Sequence, residues 1–295
     1  MNIDKERLVE TLQILFPGVR LIDIKPLEGG VSSDVFLIEV QIDLTLKKLV
    51  LRTSGSLPAE NIIETEFELL KVIYGKEIPC AEPLLLDTSC KTMDKEFMLM
   101  SFLEGSIDIP DGKDLSFIKE MAKKLRIIHQ TDIRSLPKLP LRIDPLEDLF
   151  EYLPLYKNMD KLKRFLEQKT DTQYKGKRVF LHGDYWPGNI LWKKSQITGI
   201  VDWEYAAIGD PISDLAVTSL ELRYEYGVEG MKKFLEIYSS FMRIDRFRYS
   251  LWLIYVASST LHFIHEWKLK KEWKSLMKKE AMSTIEEESN FLLNS

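Results

Sequence analysis

The stretch FLHGDYWPGNILWKKSQITGIVDWEYA, residues 180–206, sets His182, Asp184, Asn189 and Asp202 at the ends of short apolar runs. Residues 190–194 and 197–201 have the aliphatic, β-branched character of strands, with Ser195-Gln196 between them. A two-residue turn there pairs Lys194 with Ile197, Leu191 with Ile200 and Asn189 with Asp202; a four-residue loop gives the same pairing, and a three-residue loop slips it by one. Opposed residues of an antiparallel pair project from one face. The hairpin is therefore expected to deliver an amide oxygen and a carboxylate to one point. Hard oxygen donors so placed suit Mg²⁺, which takes one or two carboxylates together with substrate phosphates and water.

Asp184 lies five residues before Asn189, at the end of the run RVFL. An H-x-D-x-x-x-x-N pattern followed by a metal-binding Asp fits phosphoryl transfer. That chemistry needs a carboxylate to accept a hydroxyl proton, cations to neutralise phosphate charge, and donors that hold the phosphates in line. Singly, Asp184 and Asp202 also suit strand-end turns, and Asn189 suits a left-handed turn after Gly188. Their joint spacing favours the chemical reading.

The elements around this motif fall into two zones. VFLIEV (35–40), KLVLR (48–52) and EFMLMSF (96–102) read as strands in the first third. From about residue 115 the pattern is mainly helical, apart from the strand pair at 180–202, and a Pro-rich connector, RSLPKLPLRIDP, occupies 134–145. The joint falls at 103–106, giving residues 1–103 and 104–295 as two lobes. On the helix expected over 59–74, Ile62, Ile63, Leu69, Leu70 and Ile73 form an apolar stripe with Glu66 at its centre. A carboxylate there requires a partner, and the preceding strand offers Arg52. Such a pair can be purely structural, or it can be a phosphate-holding cation steadied by a helix acid. Before that strand, LEGGVSSDVF places Gly29, Gly30, Ser32 and Ser33 where backbone amides would cradle phosphates, a weak signal on its own.

Taken in order, GGVSSDVF, LVLRT, ETEFELLKVI, FMLMSFLEG, LRIIHQTD, HGDYWPGNIL and IVDWEYAAIGDPISDLA resemble the aminoglycoside phosphotransferase and choline kinase-like family. The resemblance spans roughly residues 25–220. It implies an α+β, protein kinase-like two-lobed fold, with an antiparallel sheet and a helix pair in the N-terminal lobe and a mostly helical C-terminal lobe. It further implies ATP, or GTP, with Mg²⁺ in the cleft and transfer of the γ-phosphoryl group to a substrate hydroxyl. Asp184 then resembles the catalytic base, Asn189 and Asp202 the metal ligands, and Arg52 with Glu66 the phosphate-anchoring pair. Ser101, Phe102 and Leu103 resemble the interlobe strand that meets the adenine. Arg52 departs from the lysine of many relatives, and the two side chains present different donors. His182 is expected to orient the Asp184 loop, Asp210-Pro211 to cap a helix, and Asp214 to brace the loop from behind.

The acceptor is not named by any motif. On the helix around 250–267, Leu253, Ile254, Ala257, Leu261 and Ile264 form the expected core face; Trp252, Tyr255, Ser259, His262 and Glu266 lie opposite. Aromatics with an acid would suit an amine through cation–π and charge contacts, although a plain amphipathic surface helix has the same pattern. A hydroxyl-bearing small molecule or amino-alcohol is the expected partner, with choline, ethanolamine or another metabolite as alternatives to an aminoglycoside. A catalytically silent nucleotide-binding relative is the competing class; the retention of Asp184, Asn189 and Asp202 argues for an enzyme. A protein kinase is disfavoured because only eight residues separate Glu204 from Ser213, too few for a peptide-docking segment.

The 295 residues carry a formal net charge of −5, which offers no electrostatic footprint for nucleic acid. Cys80 and Cys90 have no zinc spacing and read as ordinary thiols of a reduced, cytoplasmic chain. The start MNIDKERLVETLQILF carries Leu8, Leu12 and Leu15 at helical spacing and reads as an amphipathic helix rather than a signal peptide. FMLMSFL and LWLIYVA, the longest apolar runs, are too short to span a bilayer.

Overall fold

The chain is described by a computed structural model over residues 3–27, 33–55, 61–112, 115–169 and 172–295. Its first helix, α1 (Lys5–Leu15), is started by Asp4, whose carboxylate accepts from the Glu6 and Arg7 amides. Five strands follow: β1 (Arg20–Pro26), β2 (Val35–Ile42), β3 (Thr45–Thr53) and, after helix α2 (Ile63–Ile73), β4 (Pro83–Asp87) and β5 (Phe97–Ser101). They form one antiparallel sheet in the order β1-β2-β3-β5-β4.

Strand alternation decides what each face of this sheet does. Leu49, Leu51, Phe97 and Leu99 pack with Leu8 and Leu12 of α1 in a small core. The intervening positions Val50, Met98 and Met100 join Leu69, Leu70 and Ile73 of α2 in a second, larger core. Arg52 has the parity of Val50, so it emerges on the α2 side and not under α1. The predicted helix over 59–74 begins at Ile63. Ile62 is its N-cap and is 65% exposed, so it leaves the apolar stripe.

The remainder is helical, with short strands inserted. In order it comprises α3 (Phe117–Gln130), β6 (Leu141–Arg142), α4 (Leu146–Tyr152), α5 (Met159–Glu167), β7 (Val179–Leu181), β8 (Ile190–Lys193), β9 (Gln196–Ile200), β10 (Ala207–Gly209), α6 (Pro211–Ser239), α7 (Arg246–Phe263) and α8 (Lys271–Asn294). Strands β6, β10 and β7 make a small mixed sheet, and β8–β9 is a separate hairpin. Helix α6 breaks at Gly227, whose φ of 67° and ψ of −169° no helix accommodates. Residues Tyr249 to Ile254 of α7 are buried consecutively, because α4, α6 and α8 all pack against this helix. No helix among the described residues is long and apolar enough to cross a membrane.

Candidate active site

Strand β7 ends at Leu181, just before His182, and the chain then turns sharply through Gly183, whose φ is +87°. A Cβ on Gly183 would meet the Tyr205 carbonyl oxygen at 1.9 Å, so glycine alone lets these two backbones touch. Asp184 follows. Asn189, at the end of the short 3₁₀ turn Pro187–Asn189, donates from Nδ2 to the Asp184 carbonyl (2.9 Å) and to Asp184 Oδ2 (2.8 Å). Both partners are acceptors, which fixes the amide orientation and directs Asn189 Oδ1 away from Asp184. Burial, and next the charge of Asp202, push the Asp184 carboxyl up to about 7, against the opposing hydrogen bond from Asn189.

The hairpin differs from its predicted register. Lys194 and Ser195 both have positive φ (50° and 62°) and form the two-residue turn, so Lys193 pairs with Gln196 and Trp192 with Ile197. Thr198 is then an extra residue in a bulge, after which Leu191 pairs with Gly199 and Ile190 with Ile200. Asn189 therefore meets Val201, whose amide donates to its carbonyl at 3.0 Å, and not Asp202. Asp202 leaves the strand with φ of 65°. Asn189 and Asp202 nevertheless line the same cavity.

Arg52 reaches across to Asp202. Its Nη1 pairs with Glu66, its Nη2 lies 2.7 Å from Glu204 Oε2 and 3.2 Å from Asp202 Oδ1, and its Nε donates to Ser33 Oγ at 3.1 Å. Burial works against the charged guanidinium, but Glu66, Asp202 and Glu204 overcome it and hold the group above its ordinary value. The Glu204 carbonyl accepts from Asn61 N (3.0 Å) and Nδ2 (3.1 Å), and the same Nδ2 reaches the Ala206 carbonyl at 2.8 Å.

Beneath the loop, Asp214 accepts from the amides of His182 and Gly183, each at 2.9 Å, and lies 3.1 Å from His129 Nε2. Burial opposes its ionisation, yet His129 and these amides more than offset that and keep its carboxyl below the ordinary value. Tyr238 OH lies 2.6 Å from His129 Nδ1. Burial lowers His182 below its usual pKa. In its neutral form Nε2–H donates to the Val201 carbonyl (3.1 Å), while Nδ1 accepts from the Asp184 amide (3.3 Å). Asp210 caps α6 by accepting from the Ile212 amide, with Pro211 at the first helical position.

A cavity of about 460 Å³ between the sheet and the helical lobe gathers Ser33, Arg52, Glu66, Ser101, Phe102, Leu103, Asn189 and Asp202. Phe102 and Leu103 lie just beyond the last rung of the β3–β5 ladder, Leu49 with Ser101. Asp184 adjoins this space through Asn189. Gly29, Gly30 and Ser32 lie outside the described residues. An oxygen-only donor pair, the Asn189 amide and the Asp202 carboxylate facing one cavity, fits a hard cation that also takes ligands from phosphates. Among the described residues no group of three or more His, Cys, Asp or Glu side chains forms a metal cage by itself.

The predicted acceptor face on α7 is not brought to this cavity. Trp252 is 2% exposed and donates from Nε1 to Asp210 Oδ2 at 2.8 Å, so it belongs to the core. Tyr255 is half-buried, with its ring 6.2 Å from that of Tyr152, and the His262 ring lies 4.8 Å from the same tyrosine. Glu266 is exposed and lies past the end of α7 at Phe263. The physical reason is that α7 is enclosed on several sides along its first half, so Trp252 is interior although it lies opposite the aliphatic stripe, while His262 near the helix end is exposed.

Four participants escaped the sequence analysis: Glu204, Asn61, His129 and Arg142. Glu204 sits two residues past Asp202 in VDWE, and His129 lies on the apolar face of α3 in LRIIHQTD; both were visible as polar residues inside apolar patterns. Arg142 Nη1 donates to the Gly183 carbonyl at 2.8 Å. Nothing local distinguishes Arg142 or Asn61 from surface residues.

Residues 23–252 match the model of the phosphotransferase enzyme family. Among curated relatives, mouse (Mus musculus) acyl-CoA dehydrogenase family member 11 is 25% identical over 189 residues, which are 56% of this chain and 24% of that protein. The chain thus spans about a quarter of that much longer relative. The aminoglycoside 3'-phosphotransferase of Niallia circulans is 29% identical over 195 residues, covering 60% of this chain and 71% of its own length. Among solved structures, a Ralstonia eutropha protein assigned to the aminoglycoside phosphotransferases superposes with a TM-score of 0.72 at 16% identity, over 99% of this chain and 98% of that one. A thermostable mutant of aminoglycoside phosphotransferase APH(4)-Ia, in a ternary complex with AMP-PNP and hygromycin B, gives 0.64 at 13% identity over 95% and 98%. The likeness to these structures establishes the protein kinase-like fold, with its sheet lobe and helical lobe.

Proposed function

The chain belongs to the phosphotransferase enzyme family, and from that premise we propose that it moves the γ-phosphoryl group of ATP to a hydroxyl of a small molecule. One observation carries this reading: a carboxylate with a raised pKa, Asp184, is hydrogen-bonded to Asn189, which lines a cavity together with Asp202, Arg52 and Glu66. In the proposed step the acceptor oxygen bonds to the γ-phosphorus while the bond from that phosphorus to the β–γ bridging oxygen breaks. The hydroxyl proton passes to Asp184 Oδ, and the electron pair of the broken bond stays on the departing ADP.

Residues 1–103 supply the nucleotide side of the cleft in this reading. Phe102 and Leu103 border the adenine, Arg52 steadied by Glu66 faces the phosphates, and Ser33 closes the near edge. Asn189 and Asp202 would hold Mg²⁺, which when bound neutralises phosphate charge. Residues 104–295 supply the proton acceptor and the acceptor site.

The test is an ADP-release assay over a panel of hydroxyl- and amine-bearing compounds, with ATP and with GTP. Turnover that depends on both Mg²⁺ and an acceptor supports the reading. Nucleotide binding without transfer to any acceptor would favour a silent relative instead.

A further inference from the structure

We infer that Glu204 positions Arg52 for the phosphates of a nucleotide and is the residue that makes arginine, rather than lysine, workable at position 52. The inference rests on the phosphotransferase reading above and adds a residue to it. Three nitrogens of one guanidinium are committed to three directions: Nε to Ser33 Oγ, Nη1 to Glu66, and Nη2 to Glu204 and Asp202. A lysine has one nitrogen at the end of a flexible stem and cannot occupy these separate directions within a single plane.

Glu204 differs from its neighbour in what it faces. Asp202 lines the cavity, whereas Glu204 is only 4% exposed, does not line the cavity, and holds Arg52 at 2.7 Å. Its backbone is fixed by Asn61, so its side chain is a stationary anchor. If Asp202 turns to a cation, Nη2 loses one of its two partners. Glu204 then keeps the fork in its plane while the released N–H turns to the phosphates. Glu66 and Glu204 thus clamp the guanidinium from both sides, and the clamp survives loading of the site.

The test measures binding of AMP-PNP by calorimetry, with and without Mg²⁺, together with KM for ATP and kcat, in the full chain and in Glu204→Gln, Arg52→Lys and the double variant. Glu204→Gln is expected to weaken AMP-PNP binding and raise KM for ATP by about tenfold, with kcat changed by less than about threefold. Arg52→Lys should lose a similar factor, and the double variant should be no worse than the poorer single one, because each change breaks the same clamp. Binding by Glu204→Gln within about twofold of wild type would overturn the inference, as would additive losses. A shifted Mg²⁺ requirement with unchanged metal-free nucleotide affinity would also overturn it and make Glu204 a cation ligand. Should Glu204→Gln fail to fold, Glu204→Asp retains the charge and retracts the carboxylate. A loss of nucleotide affinity in that variant supports the clamp, and wild-type affinity refutes it. A wild-type chain that binds no nucleotide removes both readings; one that binds nucleotide indifferently to position 204 removes this one alone.

Discussion

Asp184 is half-buried and Asp214 fully buried, and both touch the same turn, yet their carboxyls are pushed in opposite directions. Asp214 is met by two backbone amides and His129 and falls below its ordinary value. Asp184 receives the Asn189 side chain, faces the charge of Asp202, and rises to about 7. Burial opposes ionisation of both; three donors on Asp214, against one on Asp184 beside the charge of Asp202, decide the outcome. A saturated carboxylate is a fixture of the loop, whereas an under-supplied one is poised to take a proton.

The sharpest way to break this contrast is Asp184→Asn. It is expected to lower kcat by about a thousandfold, in the range of a lost general base, while AMP-PNP affinity stays within about threefold of wild type. Retained turnover in that variant would remove the poised role. Next in size, Asp214→Ala strands the His182 and Gly183 amides and His129 Nε2 without their acceptor. Unfolding by urea should show a loss of about 3 kcal/mol; a change below about 0.5 kcal/mol would show that the saturated site is dispensable.

Tyr238→Phe withdraws the hydroxyl from His129 Nδ1, 2.6 Å away, at the outer end of the same chain of contacts. About 1–2 kcal/mol of stability should go with it, measured in the same urea series. The smallest effect sharpens the contrast from the other side. The folded pKa of Asp184 is about 7 against an ordinary 3.8, so its ionisation weakens the fold progressively as pH rises from about 4 to 7. In chelator-treated buffer, Asp184→Asn should therefore match wild type near pH 4. It should exceed it in Tm above pH 7, the direction that the raised carboxyl requires. An equal Tm at both pH values would mean that the carboxyl is not strained at all.

Much of this arrangement could be read from the chain because it depends on spacing. Glu66 at the centre of an apolar stripe demanded a cation, and strand parity puts Arg52 on the same side of the sheet. The hairpin register could not be read. Its turn uses Lys194 and Ser195 at positive φ without the usual Asn-Gly signal, and the bulge at Thr198 leaves no local mark. Trp252 was misplaced for a different reason. Helical periodicity identifies a buried face only when one side is wet, and α7 is enclosed by three other helices. Asn61 and Arg142 act on backbone carbonyls far away in sequence, which no pattern of side chains reveals.

Asn61 stands two residues before α2 and holds the carbonyls of Glu204 and Ala206, just past Asp202. These three bonds pin the entrance of a sheet-lobe helix to the chain of the opposite lobe at one corner of the cleft. Any widening of the gap must pivot about that corner, so the far rim swings while the edge beside Arg52 hardly moves. A visiting molecule would then come and go by the side remote from α2.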